Sequence, residues 1–256
     1  LVAVVLCFSI PTFAQAVTFS GTLYSDEGAT AITSGKTIKL AIGTSTASVY
    51  STTTDSGAGT WSITGVDATN ITSTTTILAW VDGDASTRAS LFTIASTSNG
   101  ITNLNLYQNR VILKSEATTT NITNDDLAFY DFTDDTDIQF NASSTDNTLT
   151  VFKGQELHIW TGNTYVPGGS VTIQGNAGSG TDGSFHIATS STYTAGASTT
   201  IAGNLDIGDS AVFTAHASGT LFNATTTGKT LSAQWTLLPP VLVLLPSTAL
   251  VEVGLS

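Results

Sequence analysis

The chain has 256 residues, of which 41% are hydrophobic and only 10% are charged, and its formal net charge is -12. This hydrophobic fraction excludes a solvated, disordered chain, and the length allows one large or two modest domains with buried cores. Because Lys and Arg number 7 against 19 Asp and Glu, few basic side chains are present to neutralise phosphates, and we expect no nucleic-acid partner.

The first 16 residues are typical of an export signal. Residues 1–10 form an uncharged apolar run, Pro11 ends it, and Ala14, Gln15 and Ala16 give the small-x-small pattern that signal peptidase cleaves. The run is shorter than the about 20 apolar residues that cross a bilayer, so we expect no membrane span in the mature chain. A buried core strand is the alternative. We predict a partial signal peptide over residues 1–16 and an extracellular or cell-surface location.

Residues 17–115 alternate between apolar and polar positions in short segments, as in 17–24 and 36–42, and Gly, Asp and Ser separate these segments. Thr is abundant here, and its β-branched side chain favours strands. Seven or more short strands with such turn signals predict an antiparallel β-sandwich of the prealbumin or immunoglobulin type. No segment after the signal has the spacing of an amphipathic helix.

The order SGTLYSDEG … GKTIKLAIG … TTTDSGAGTWSITGV resembles the carboxypeptidase-regulatory-like, or Cna B-type, prealbumin-like β-sandwich. In that family a T-D-x-x-G-x-[FWY]-x-[IF]-x-x-[VL] segment marks a central hairpin, and the residues that fit it are Asp55, Gly59, Trp61, Ile63 and Val66. The resemblance implies a sandwich over residues 17–115, commonly used as a surface spacer or adhesive module, and it does not imply catalysis. The segment 104–112 is similar to secreted proteins of uncultured bacteria that carry this sandwich before a β-solenoid.

The second half of the chain has a different pattern. Residues 116–147 form an acidic connecting segment with interspersed aromatic residues. In residues 148–230, short apolar pairs recur between Gly, Asn, Ser and Thr turns at spacings of roughly 6–14 residues, which predicts a β-solenoid of the parallel β-helix kind. A second sandwich is the alternative. Residues 231–256 read as an irregular apolar tail. The predicted fold class is therefore all-β.

The chain contains no catalytic motif of the kinds that sequence can reveal. There is neither a G-x-S-x-G elbow nor an H-E-x-x-H pair, so we predict no catalytic residues. His158, His186 and His216 are spaced so that a solenoid could stack them on one face, although turns and half-exposed strands explain them more simply. Only Lys153 and Lys229 are basic between residues 148 and 230, which argues against a polysaccharide lyase site.

Two sets of residues are candidates for binding. Carboxylates supply the hard oxygen ligands that calcium prefers, and the candidates for a calcium site are Asp82, Asp84, Asp134, Asp135 and Asp137. They match no EF-hand loop, and solvated acidic turns are the alternative. For a sugar ligand, Trp160 near Tyr165 is a candidate stacking platform.

We therefore predict a secreted or cell-surface structural protein, adhesin-like and without enzymatic activity. One alternative is an extracellular carbohydrate-binding or carbohydrate-active β-helix protein, which includes a polysaccharide-active enzyme. Another is a calcium-stabilised surface-layer component. The expected partner is a cell-surface or extracellular polymer or glycan, and calcium is the only cofactor that the sequence suggests.

Overall fold

The structure is a computed structural model that describes residues 15–43, 49–117, 120–176, 181–217, 220–222, 230–233 and 252–254. Within these residues the chain is nearly all strand, with one four-residue helix, α1 (Asn124–Leu127), and a 3-10 turn at Ala68–Asn70. The predicted all-β class is confirmed. No helix in the described ranges has both the length and the apolar character that a membrane crossing needs. The predicted signal peptide lies outside the described residues except for Gln15 and Ala16.

The strands before α1 are β1 (Ala16–Tyr24), β2 (Thr37–Ile42), β3 (Val49–Thr53), β4 (Thr60–Asp67), β5 (Thr76–Asp82), β6 (Ser90–Ile94), β7 (Leu106–Tyr107) and β8 (Arg110–Leu113). After α1 come β9 (Phe140–Ser143), β10 (Thr148–Val151), β11 (Glu156–Ile159), β12 (Thr164–Tyr165), β13 (Ser170–Ile173), β14 (Ser184–Ile187), β15 (Thr192–Thr194) and β16 (Thr199–Ile201). The last strands are β17 (Leu205–Ile207), β18 (Val212–Thr214), β19 (Thr220–Phe222), β20 (Thr230–Ala233) and β21 (Glu252–Gly254). Part of β20 and all of β21 fall in the tail that was predicted to be irregular.

The strands up to β8 form two layers around one apolar core. The small sheet has the order β4-β1-β7, and it packs on the strands β3-β2-β5-β6-β8 of a second sheet. Alternation in β1 points Phe19 and Leu23 into this core, where they meet Leu40, Leu91 and Ile112. All of these side chains are fully buried, and apolar burial of this kind is the main stabilising contribution to such a fold.

From β10 onward the chain passes through three sheets in a fixed order and returns to the first. The first turn consists of β10, β11 and β12, the second of β13, β14 and β15, and the third of β16, β17 and β18. Each strand of the second and third turns pairs in parallel with the corresponding strand of the turn before it. Inward side chains therefore stack in ladders, such as Leu157 on Phe185 and Tyr165 on Tyr193. We call residues 148–222 the coiled region. This strand order is the one that a β-solenoid requires, but a sandwich followed by a solenoid stays a prediction.

One sheet runs through both halves of the chain. Its order is β21-β20-β17-β14-β11-β8-β6-β5-β2-β3, and we call it the long sheet. Strand β8 joins the halves because it pairs in parallel with β6 on one side and with β11 on the other. One face of the long sheet lines the interior of the coiled region, and the small sheet covers the opposite face as far as β8.

Residues 120–143 close the first turn of the coiled region, and we call them the cap. Strand β9 pairs antiparallel with β10, and the cap buries Ile122, Leu127, Ile138 and Phe140 against the interior of the coiled region. A stack of coils exposes its apolar core at its ends unless another segment covers it. The segment predicted to be an acidic connection therefore contributes core residues as well as charge.

Candidate functional site

Beyond β8 the small sheet no longer covers the long sheet, and this leaves a step in the surface. A cleft lies at this step, where the outer face of the long sheet becomes accessible. Its volume is about 270 Å³, and its lining includes Glu27, Tyr107, His158, Trp160, His186 and Thr189. We call it the step cleft. Glu27 comes from the segment between β1 and β2, Tyr107 from β7, and the other residues from β11, β14 and the turns after them.

Strand alternation places both histidines in the step cleft. In β11, Leu157 and Ile159 point into the core, so His158 points outward, and β14 repeats the pattern with His186. The parallel register sets His158 directly opposite His186, and their ring centroids are 4.6 Å apart. Asp206 of β17 occupies the next position of the same ladder. Side chains at one register position of adjacent parallel strands lie close together because the strands are about 4.8 Å apart.

Arg110 joins the two glutamates of the step cleft. Its Nε donates to Glu156 Oε1 at 3.0 Å, and its Nη2 donates to Glu27 Oε1 at 3.0 Å. His158 Nδ1 lies 3.2 Å from Glu156 Oε1, and His186 Nδ1 lies 3.7 Å from Glu27 Oε1. Burial alone would raise the pKa of Glu156, but the hydrogen bond with His158 and the charge of Arg110 outweigh burial, and this pKa is lowered.

Two aromatic rings form one wall of the step cleft. Tyr107 stacks on Trp160 with ring centroids 5.7 Å apart and an interplanar angle of 29°, and its edge also meets His158. The Lys114 ammonium lies 5.7 Å from the centre of the Trp160 ring, within the range of a cation–π contact. Burial, with a smaller contribution from the charge of Glu27, raises the pKa of Tyr107 to about 12. The wall is therefore held in place from several sides, and Trp160 is its half-buried member.

The predicted sugar platform is corrected by the structure. Trp160 borders the step cleft, but Tyr165 is fully buried in the coiled region, where its ring lies beside Tyr193 and its hydroxyl donates to Asn124 Oδ1. Tyr165 therefore cannot stack on an external ligand. The aromatic partner of Trp160 is Tyr107, which sequence reasoning missed.

The acidic cluster brings together three of the five predicted calcium ligands, Asp82, Asp135 and Asp137, whose oxygen atoms lie within 4.8 Å of one another. Lys39 Nζ lies 2.8 Å from Asp82 Oδ1 and 3.0 Å from Asp135 Oδ2, and the hydrogen bond with Asp82 is the main cause of a raised Lys39 pKa. Asp137 accepts a hydrogen bond from the Gly83 amide at 2.7 Å. A calcium ion at this point would have to replace the Lys39 ammonium.

The other two predicted calcium ligands have separate partners. Asp84 pairs with Lys36 and accepts hydrogen bonds from the amides of Ser86 and Thr87. Asp134 accepts a hydrogen bond from the amide of Asp131 at 3.1 Å. Calcium binding by the predicted residues stays a prediction, and the structure gathers only Asp82, Asp135 and Asp137 for it.

A larger groove, of about 610 Å³, lies between the small sheet and strand β3. Its lining is mostly hydroxyl and amide groups, including Thr52, Thr53, Asn103 and Asn105. Trp61 also borders this groove, but it is only 3% exposed and offers no ring face to a ligand. The step cleft is the better candidate site because it combines imidazole and carboxylate groups with the half-buried Trp160 ring.

The fold and this site define an all-β protein with a histidine- and glutamate-lined cleft on the outer face of a long sheet. No protein-family model, curated protein or solved structure matches the chain. The resemblance of residues 17–115 to the Cna B-type sandwich therefore stays a prediction.

Proposed function

We propose that the chain is a secreted or cell-surface adhesin-like protein, without enzymatic activity, that binds a sugar ring of an extracellular glycan in the step cleft. The observation that carries this proposal is the Tyr107–Trp160 wall beside Glu27 and the His158–His186 pair. Sugars bind where an apolar ring face packs on an aromatic side chain while nearby carboxylates and imidazoles accept or donate hydrogen bonds to the hydroxyls.

The scaffold beneath the step cleft supports a binding role. His158 and His186 stand on strands whose inward neighbours, Leu157, Phe185 and Ile187, are fully buried. A side chain held on such a strand loses little conformational freedom when a ligand binds, and this favours affinity.

The charge state of Glu156 supports a role other than glycoside cleavage. Glycosidases pair an ionised carboxylate with a second carboxyl group that stays protonated and acts as an acid. Glu156 has a lowered pKa and accepts a hydrogen bond from Arg110, which also contacts Glu27. The arginine therefore favours the ionised form of Glu156, and this suits hydrogen bonding to a ligand better than proton donation.

A glycan array tests the proposal. We expect the wild-type chain to bind a subset of glycans, and Trp160→Ala to lower the affinity for them at least tenfold. The matched control is Phe132→Ala, because Phe132 is an aromatic residue of the cap that is 36% exposed and lies outside the step cleft. Wild-type binding to no glycan, or equal binding by wild type and Trp160→Ala, would contradict the proposal.

A second candidate function is a calcium-stabilised surface-layer component, which the cluster of Asp82, Asp135 and Asp137 favours. We expect millimolar calcium to raise the melting temperature of the wild-type chain and to have a smaller effect on Asp135→Asn. An unchanged wild-type melting temperature would remove this candidate.

A further inference from the structure

We infer that Glu27, Glu156, His158 and His186 form a binding site for one divalent transition-metal ion of the zinc type. These side chains each offer one ligand atom, and the four atoms all lie within 4.8 Å of one another. They come from three parts of the fold: the segment between β1 and β2, strand β11 and strand β14. The inference is independent of whether the step cleft binds a sugar.

Two distances between ligand atoms are close to those of a tetrahedral site. Zinc bonds to nitrogen and oxygen are about 2.0–2.2 Å long, so neighbouring ligand atoms of a tetrahedral site are about 3.3–3.6 Å apart. His158 Nδ1 lies 3.2 Å from Glu156 Oε1, and His186 Nδ1 lies 3.7 Å from Glu27 Oε1. Both pairs are therefore close to the separation that an ion between them requires, and side-chain rotations of the exposed Glu27 can supply the remaining adjustment.

The chemistry of the ligand set selects the kind of ion. Imidazole nitrogen binds zinc, cobalt, nickel and copper, whereas calcium and magnesium prefer sites made only of oxygen. The set of His158, His186, Glu27 and Glu156 offers two nitrogen and two carboxylate ligands. It is thus distinct from the all-carboxylate cluster of Asp82, Asp135 and Asp137, and the two clusters should discriminate between zinc and calcium.

The neighbouring charges are compatible with an added cation. Arg110 contacts Oε1 of both glutamates, but each carboxylate has lone pairs for a further partner on its two oxygens. A ligating carboxylate commonly accepts a hydrogen bond from another side chain, which fixes its orientation. Asp206 lies beside His186, with Oδ2 3.8 Å from Nδ1, and adds another negative charge near the ion. The hydrogen bond between His158 and Glu156 requires a proton on Nδ1, and metal binding would displace that proton. A neutral imidazole can then carry its proton on Nε2 and leave Nδ1 free to bind the metal.

Metal binding would connect the layered and coiled parts of the chain. Glu27 precedes β2 in the N-terminal part, while His158 and His186 belong to successive turns of the coiled region. An ion bound by all of these residues fixes the segment around Glu27, whose side chain is 45% exposed, against the long sheet. Because the ion binds only the folded arrangement, it raises the free energy of unfolding as its concentration exceeds its dissociation constant.

The test is a titration of the full chain with Zn²⁺ followed by calorimetry and with Co²⁺ followed by visible absorption. We expect one equivalent of Zn²⁺ at micromolar affinity or tighter, a Co²⁺ spectrum with the intense bands of tetrahedral coordination, and a rise in melting temperature with Zn²⁺. His186→Ala should weaken Zn²⁺ binding at least tenfold. Since His158 is buried and its replacement can affect folding, Glu27→Gln at an exposed position provides the second variant, with the same expected loss.

The matched controls are His216→Ala, which removes the histidine that lies outside the cluster, and Asp135→Asn, which alters the carboxylate cluster. Both should keep wild-type Zn²⁺ affinity and stoichiometry. Zn²⁺ affinity that is unchanged in both His186→Ala and Glu27→Gln would overturn the inference, as would wild-type affinity for Ca²⁺ equal to that for Zn²⁺. These readouts use no glycan, so their failure is distinguishable from failure of the proposed sugar binding.

Discussion

Asn124 connects the cap to the coiled region, and its replacement by alanine tests whether polar contacts hold the cap in place. The side chain is fully buried. Its Nδ2 donates to the Asn147 carbonyl at 2.9 Å and to the Ser170 carbonyl at 3.3 Å, and its Oδ1 accepts from the Tyr165 hydroxyl. Asn124→Ala would leave each of these three groups without its buried partner.

The expected cost follows from those contacts. A buried polar group left without a hydrogen bond costs about 1–3 kcal/mol, so three such groups give a loss of about 3–5 kcal/mol when partial relaxation is allowed. Tyr165→Phe leaves only the Asn124 Oδ1 atom without a partner, and we expect it to cost about 1–2 kcal/mol. Because the two residues share one hydrogen bond, the double variant should cost about 1 kcal/mol less than the sum of the single variants.

Urea unfolding followed by circular dichroism measures these losses, provided that the slope of free energy against urea concentration is the same for all variants. Asn141→Ala is the control, since Asn141 lies on β9 of the same cap but is exposed, and its replacement should change stability by less than about 0.5 kcal/mol. A loss below about 1 kcal/mol for Asn124→Ala would refute the reasoning, because it would mean that these contacts contribute little net stability.

Three further predictions concern close backbone packing and pH. Gly203→Ala should destabilise the chain far more than Gly35→Ala in urea unfolding. A Cβ at Gly203 would lie 2.1 Å from a backbone carbonyl oxygen of the adjacent turn, whereas a Cβ at Gly35 would lie 3.5 Å from its nearest neighbour. Equal losses of unfolding free energy in the two variants would contradict this prediction. Burial raises the pKa of Tyr107 to about 12, above its ordinary value of 10.0, so its contribution to stability is complete below pH 10 and is lost between pH 10 and 12. Tyr107→Phe should reduce this alkaline loss in the same assay, and an identical alkaline profile for the variant would contradict the prediction. Hydrogen bonds from Lys36 and Ser86 hold the pKa of Asp84 well below its ordinary value of 3.8, so its contribution to stability is present above about pH 4 and is lost as the pH falls further. Asp84→Asn should therefore flatten the acid limb of the stability profile, and an unchanged acid limb would count against the pairing of Asp84 with Lys36.

Much of the fold could be predicted from local pattern, because strand alternation is a local property. The alternation in residues 17–24 corresponds to β1, and the inward pairs Leu157 with Ile159 and Phe185 with Ile187 were visible as short apolar repeats. The pairing of His158 with His186 was harder to predict from the sequence because the turns of the coiled region differ in length. Leu149 stacks on Val171, 22 residues later, whereas Val171 stacks on Thr199, 28 residues later. The sequence did contain evidence for this pairing, because β11 (ELHI) and β14 (SFHI) share one pattern in which His stands between two apolar residues.

The errors at the site have a different physical origin. Tyr165 belongs to a strand of only two residues, which is too short for alternation to reveal which side chain points inward. Glu27 and Tyr107 are 80 positions apart and meet at the step cleft only because the small sheet packs on the long sheet. A contact of this kind depends on the assembled layers, and no short segment of the sequence contains it.

The shared strand β8 has a consequence for how the chain should melt. In a stack of repeats, total stability is the sum of the stabilities of the repeats and of the interfaces between neighbours, so an array can lose its end repeats before the others. Here β8 is a neighbour to β6 and to β11 at once, and its unfolding would expose an unpaired sheet edge on each side. We therefore expect the layered strands and the first turns of the coil to behave as one cooperative unit in calorimetry, with stepwise loss confined to the turns farthest from β8.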